Sequence, residues 1–142
     1  MREEHDLEVV RVSPVYETSP WGVNDQSDYL NAVIQLTTTM APGELLSLTQ
    51  KIERQAGRQP RMERWTEREL DIDILIFGDL QVSKSDLTLP HPRLILRRFV
   101  LQPLSDIAGG LIIPGLGLSV DAALARCQDE GEVKLFHKAL QL

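Results

Sequence analysis

Asp71 and Asp73 are the residues of this 142-residue chain whose type and spacing point most directly to chemistry. They lie in LDIDILIF, where Leu70, Ile72, Ile74 and Ile76 share one parity and Asp71, Asp73, Leu75 and Phe77 the other. That alternation predicts a strand. Successive side chains of a strand point to opposite faces, so the apolar set can enter a core while the two carboxylates project together, their Cα atoms roughly 6–7 Å apart. Hard oxygen ligands so spaced suit Mg²⁺, which takes one or two protein carboxylates and completes its shell with water and phosphate oxygens. Just upstream come Arg58, Arg61, Arg64 and Arg68, interrupted by Pro60 and Trp65 and lacking a helical apolar stripe. Permanently charged, fork-shaped donors beside a carboxylate-bound cation are the parts needed to hold a polyphosphate and neutralise charge as it is transferred. Alone, a DxD is equally a solvated face or a pair of structural ion pairs, and clustered arginines equally surface charge. The order of basic loop, paired carboxylates and then LPHPRLILRRFVLQPL at 89–104 favours the functional reading.

Elements that would position these groups follow from the patterning. Leu7 to Tyr16 is valine-rich and loosely alternating, which predicts a strand, and Tyr29 to Thr39 predicts a second, with an irregular loop between them. An antiparallel pair with a large functional connection results. Pro42 opens a helix whose stripe is Leu45, Leu46, Leu48, Thr49 and Ile52, stopping at Gly57; Gln50 and Glu53 project from neighbouring faces near its end. Gln81 to Leu89 is irregular or a short edge strand, Pro90 and Pro92 bracket His91, and helices are predicted at about Leu94–Ile107, Val120–Cys127 and Glu132–Leu140. The glycines at 109, 110, 115 and 117 are punctuation, since they lack the Lys-Ser/Thr ending of a phosphate loop.

The length suits one domain, residues 1–142, with a real core. A net charge of −6 argues against general affinity for nucleic acid or anionic membranes. The single Cys127 excludes an internal disulfide, and with no signal peptide or long apolar run the expected compartment is the cytoplasm. A DxD nuclease fits poorly, for want of a third ligand and a basic groove.

RW..R.LD.DIL.FG from Arg64 to Gly78, then LPHP, then R.FVL.PL from Arg97 to Leu104, resembles the 6-hydroxymethyl-7,8-dihydropterin pyrophosphokinase family of folate synthesis. VYETSPWG, ending at Gly22, and DYLNAV, beginning at Asp28, are similar to that family in the same order. The resemblance implies an α+β, ferredoxin-like antiparallel sheet with helices on one face. It also implies that the first βα unit is missing, because no strand, Gly-Ser-Asn-Leu-Gly-Asp loop and helix precede Leu7. A fragment of a longer protein, an engineered chain, or a homo-oligomer whose neighbour supplies the edge would each account for that.

The implied reaction is transfer of pyrophosphate from ATP to the dihydropterin, releasing AMP. By resemblance, Asp71 and Asp73 would hold two Mg²⁺ ions, and Arg58 and Arg68 would clamp the phosphates as a lid closes. Gln50, Glu53, Arg64, Trp65, Ile74 and Thr88 would surround the nucleotide, with His91 and Arg97 at its phosphates; Ile74 lies on the apolar parity and is equally a core residue. Thr18, Ser19, Trp21, Tyr29, Asn31 and Phe99 would form the pterin site, the rings stacking and the Asn31 amide pairing with the pterin edge. Thr66 and Glu67 replace the family's usual Gly-Pro, and Glu69 a small or hydroxyl residue, so slower lid motion is expected. The alternative reading is a non-catalytic remnant acting as a binding or assembly module.

Overall fold

The computed structural model describes residues 6–18, 29–57, 70–129, 131 and 133–137. Both of the first two predicted strands are present, and both are broken. The first is β1 (Leu7–Val12) followed by β2 (Val15–Thr18), and the second is β3 (Tyr29–Asn31) followed by β4 (Ile34–Thr38). β1 pairs antiparallel with β4, and β2 with β3, so the two arms bend at the same level. Pro14 has no N–H to give a ladder, and the fully buried Ser13 takes over: its N–H donates to the Val33 carbonyl at 2.9 Å while its Oγ accepts from the Val33 N–H at 2.8 Å.

α1 spans Pro42–Gly57 as expected, with the Glu44 carboxylate accepting the Ala41 N–H at 2.8 Å and Leu45 and Thr49 buried. β5 (Val82–Lys84) and β6 (Leu87–Leu89) make a hairpin where an irregular stretch or edge strand was expected. The predicted helix at Leu94–Ile107 is a 3₁₀ turn, Leu94–Leu96, followed by α2, Arg98–Ala108. The extended Arg97 separates the two. The glycine-rich region forms a small hairpin, β7 (Ile112–Ile113) and β8 (Leu118–Ser119), with Gly115 and Gly117 at φ 82° and 61° in the turn, a region that only glycine enters cheaply. α3 (Val120–Arg126) starts at Ser119, whose hydroxyl accepts the Ala122 N–H at 3.0 Å.

Two expectations are corrected. The helix expected at Glu132–Leu140 is instead β9, Val133–His137, paired antiparallel with β2 in a sheet ordered β3-β2-β9; the rest of that stretch lies outside the described residues. An available edge on β2 decides the conformation of VKLFH, because pairing satisfies backbone groups that local propensity does not count. From Asp71 to Ile74 the segment Leu70–Phe77 keeps the expected alternation, with Asp71 and Asp73 exposed and Ile72 and Ile74 half-buried; Leu70, expected on the buried parity, is exposed, and the segment joins no ladder among the described residues. A period-2 pattern specifies which side chains are buried; a strand also needs a neighbour.

The core lies around α2 and α3, where Leu94, Leu101, Leu104, Ile113, Val120, Ala123 and Cys127 pack together. Leu75, Ile76 and Val33 pack against it, which docks the carboxylate-bearing segment and the hairpin bend on one hydrophobic body. No helix among the described residues is long and apolar enough to cross a membrane.

Substituting Ser13→Ala removes the acceptor of a buried N–H and is expected to lower stability by about 1–3 kcal/mol. Leu101→Ala, at a site with no exposure, should cost about 2–5 kcal/mol. Urea titrations that give unchanged midpoints for either variant would contradict this account of the bend and the core.

Candidate active site

Two hydrogen bonds hold the Leu70–Phe77 segment in place of a ladder. Glu53, half-buried in the last turns of α1, accepts the Ile72 N–H through Oε2 at 2.6 Å. Further along, the His91 N–H donates to the Leu75 carbonyl at 2.8 Å. Asp73 lies between these two points. Its Oδ2 is 3.9 Å from His91 Nε2, and its side chain is 52 % exposed, so it meets both solvent and the imidazole.

The sequence around His91 sets its proton. Nδ1 accepts the Arg93 N–H at 3.1 Å, so the neutral ring carries its hydrogen on Nε2, the atom that faces Asp73. Burial pulls the His91 pKa below its usual value; Asp73 opposes that shift, and Arg97 and Arg93 add to it. The imidazole is therefore neutral at neutral pH and offers a hydrogen-bond donor, not a charge, toward the Asp pair.

Other predicted residues form neighbouring groups. The Arg97 guanidinium stands 5.6 Å from the centre of the Phe99 ring, at the start of α2. Thr18 pairs with Tyr29, and Tyr16 with Asn31, across β2 and β3, so Tyr29 and Asn31 share a strand face as expected. α2 touches both strands, which brings the Phe99 helix against the pair that carries Thr18, Tyr29 and Asn31. Tyr16, on β2, donates to Asp106 of α2; burial, and then that carboxylate, push its hydroxyl up to about 12. Thr88 and His91 lie on a cleft of about 390 Å³ walled by Leu89, Leu94, Ile113 and Leu116. Gln50 is exposed on α1, and Ile74 is half-buried, in keeping with its apolar parity. Ser19, Trp21, Arg58, Arg64, Trp65 and Arg68, together with the departures at Thr66, Glu67 and Glu69, lie outside the described residues.

Sequence reasoning missed what Glu53 does for the backbone. A signal was present: Glu53 is one turn beyond the buried Thr49, at i+4, so it flanks the buried stripe and must find a partner there. It also missed the pairing of Tyr16 with Asp106, two residues with no patterned spacing between them.

The donor set suits a hard divalent cation. Asp71 and Asp73 are both exposed, and among the described residues no group of three or more Asp, Glu, His or Cys is clustered for a metal cage. Two carboxylates with open positions left for water and phosphate oxygen match the habits of Mg²⁺ rather than Zn²⁺ or Ca²⁺.

The lowered His91 pKa fixes the sign of a pH effect. Below about 6.5 the unfolded chain takes up a proton at this residue that the folded chain does not, so this contribution to stability is lost as pH falls from 6.5 toward the folded value. NMR titration should give a His91 midpoint below 6.5 and, because Asp73 favours the charged ring, a still lower midpoint in Asp73→Asn. A higher midpoint in that variant would contradict the assignment of the Asp73 effect.

Residues 1–109 match the family model described as 7,8-dihydro-6-hydroxymethylpterin-pyrophosphokinase (HPPK). The chain is 46 % identical over 99 residues to the 2-amino-4-hydroxy-6-hydroxymethyldihydropteridine pyrophosphokinase of Bacillus subtilis, a match covering 70 % of this chain and 59 % of that protein. The Haemophilus influenzae protein of the same name is 42 % identical over 106 residues, 75 % of this chain and 66 % of its own length. That of Pseudomonas aeruginosa is 41 % identical over 130 residues, 92 % and 79 % respectively. The matches to the first two thus span about three-fifths and about two-thirds of those relatives. With a family match that takes in the hairpin, α1, the Asp pair, His91 and Phe99, this chain belongs to the 7,8-dihydro-6-hydroxymethylpterin-pyrophosphokinase family.

Proposed function

We propose that this chain transfers the β,γ-pyrophosphoryl group of ATP to the hydroxymethyl oxygen of 6-hydroxymethyl-7,8-dihydropterin, in folate synthesis in the cytoplasm. The pterin oxygen forms a bond to the β-phosphorus, the bond from that phosphorus to the oxygen of the α-phosphate breaks, AMP leaves, and the hydroxyl proton is released. The observation that carries the reading is the tethered Asp71-Ile72-Asp73 segment with His91 Nε2 beside Asp73, in a chain of this family.

Asp71 and Asp73 are the residues that would hold Mg²⁺, as two ions in the fullest form of the reading. Bound there, Mg²⁺ supplies charge neutralisation across the triphosphate and its leaving oxygen. His91 Nε2–H and the Arg97 guanidinium are donors suited to phosphate oxygens, one neutral and one charged. Arg58 and Arg68 would close over and clamp the phosphates, with Arg64 and Trp65 from the same stretch; Gln50, Ile74 and Thr88 belong to the nucleotide side, while Glu53, given to the nucleotide by resemblance, is engaged with the Ile72 N–H. Water is excluded by that closure, which protects the pyrophosphoryl group from hydrolysis.

On the pterin side, Tyr29 and Phe99 offer ring faces for stacking and the Asn31 amide both a donor and an acceptor for the heterocycle edge, with Thr18, Ser19 and Trp21 beside them. The contact of α2 with β2 and β3 supports one site built from Thr18, Tyr29, Asn31 and Phe99. The reading carries with it the ferredoxin-like arrangement of the antiparallel strands, helices on one face, within one domain.

The test is AMP release from Mg-ATP with and without 6-hydroxymethyl-7,8-dihydropterin, using the whole chain. Pterin-dependent AMP is expected, and Asp73→Ala should reduce it by more than ~100-fold, beyond the cost of losing an outer-shell partner. A folded chain that binds Mg-ATP and forms no pterin-dependent AMP would overturn the proposal in favour of a non-catalytic binding module.

A further inference from the structure

We propose that Glu53 is the positioning residue of the Asp71–Asp73 pair, acting on the backbone between them rather than on the nucleotide. The inference rests on the reading of that pair as a Mg²⁺ site. Glu53 Oε2 accepts the Ile72 N–H at 2.6 Å. A peptide unit is planar, so fixing that N–H fixes the plane that joins Asp71 to Ile72 and with it the direction of the Asp71 carbonyl. The His91 N–H bound to the Leu75 carbonyl fixes a second plane, between Leu75 and Ile76. Asp73 lies between the two fixed planes, which limit the course of the backbone that carries its carboxylate.

In a paired strand the ladder would do this work. Leu70–Phe77 has no ladder among the described residues, and its first half is tethered from a different element, the C-terminal part of α1. Two carboxylates that must share a cation cluster with a triphosphate tolerate little error in direction. The Glu53 side chain is half-buried with one oxygen committed to Ile72, so its length and acceptor geometry, more than its charge, set the pair.

Glu53→Gln keeps an oxygen able to accept the Ile72 N–H, and Glu53→Ala keeps none. The probe is Mn²⁺, titrated by electron paramagnetic resonance in the presence of the α,β-methylene analogue of ATP, which cannot undergo the reaction. Glu53→Ala is expected to raise the Mn²⁺ concentration for half-saturation ~10–100-fold, the range for losing an outer-shell partner, and Glu53→Gln to stay within ~3-fold of wild type. Amide exchange at Ile72 should accelerate in the alanine variant alone. At saturating Mn²⁺ the alanine variant should bind the analogue as tightly as wild type.

Equal weakening of Mn²⁺ binding in both variants would overturn the proposal in favour of a charge effect, and persistent weak analogue binding at saturating Mn²⁺ would overturn it in favour of a direct nucleotide contact. An unchanged alanine variant, or wild type that binds no Mn²⁺, would also overturn it. Should Glu53→Ala fail to fold, the glutamine variant decides: a ~10-fold or larger loss there is incompatible with an acceptor role. Wild type that binds Mn²⁺ but forms no pterin-dependent AMP sinks the proposed reaction and leaves the Glu53 result standing.

Discussion

A segment that carries two acidic residues and joins no ladder can face solvent only if something else holds its backbone, and here that constraint falls on two hydrogen bonds, one to a side chain and one to a main-chain group. Glu53 holds Ile72 from α1, and the backbone of His91 holds Leu75 from the proline-flanked turn. Burial at the end of the segment does the remaining work, since Leu75 and Ile76, one from each parity, pack against the core of α2 and α3. Polar fixation from one side and burial from the other leave Asp71 and Asp73 exposed in a defined direction. In the proposed reaction a carboxylate pair held in this way would meet a phosphate-bound cation with less freedom of its own to lose.

Electrostatics in the neighbourhood follow from the same arrangement. Arg93 contributes its backbone N–H to Nδ1 of His91, and its charge, with that of Arg97, works against protonation of the ring. Asp73 pulls the other way, and partial burial decides the outcome. Arg97 is itself directed over Phe99, so a cation and an aromatic face with separate assignments in the proposed reaction are in contact before either meets a substrate.

Much of this was legible from residue order. The helix at Pro42–Gly57, the antiparallel relation of the first two extended stretches and the exposure of both aspartates all follow from local pattern, because Pro42, the Leu45–Thr49 stripe and the alternation around Ile72 are local signals. What failed depended on distant partners. VKLFH is a strand because β2 has an edge for it, and no local period reveals that edge. Leu70–Phe77 has the strand period and no ladder, because pairing is a property of two segments and not of one. No local pattern marks Ser13, whose burial against Val33 emerges only when both arms bend together. The candidate residues Asp71, Asp73, His91 and Phe99 stand out by type and motif, while the contact between Glu53 and Ile72 was hidden, since it joins residues from two elements through a main-chain group.

Arg98 ties the end of α3 to the start of α2: its Nε donates to the Asp129 carbonyl at 3.0 Å, its Nη2 to the Cys127 carbonyl at 3.0 Å, and its backbone N–H to Asp129 Oδ2 at 3.1 Å. That knot delivers the chain to β9, whose partner β2 lies well over a hundred residues earlier. The three-stranded sheet is thus closed by a late segment pairing with an early one. During synthesis the β2–β3 hairpin must wait with an open edge while α1, the Asp pair and α2 emerge, and the closing strand meets the entropy cost of a long loop. Assembly of the sheet that carries Tyr29 and Asn31 therefore waits until β9 has been made, after the helices of the core.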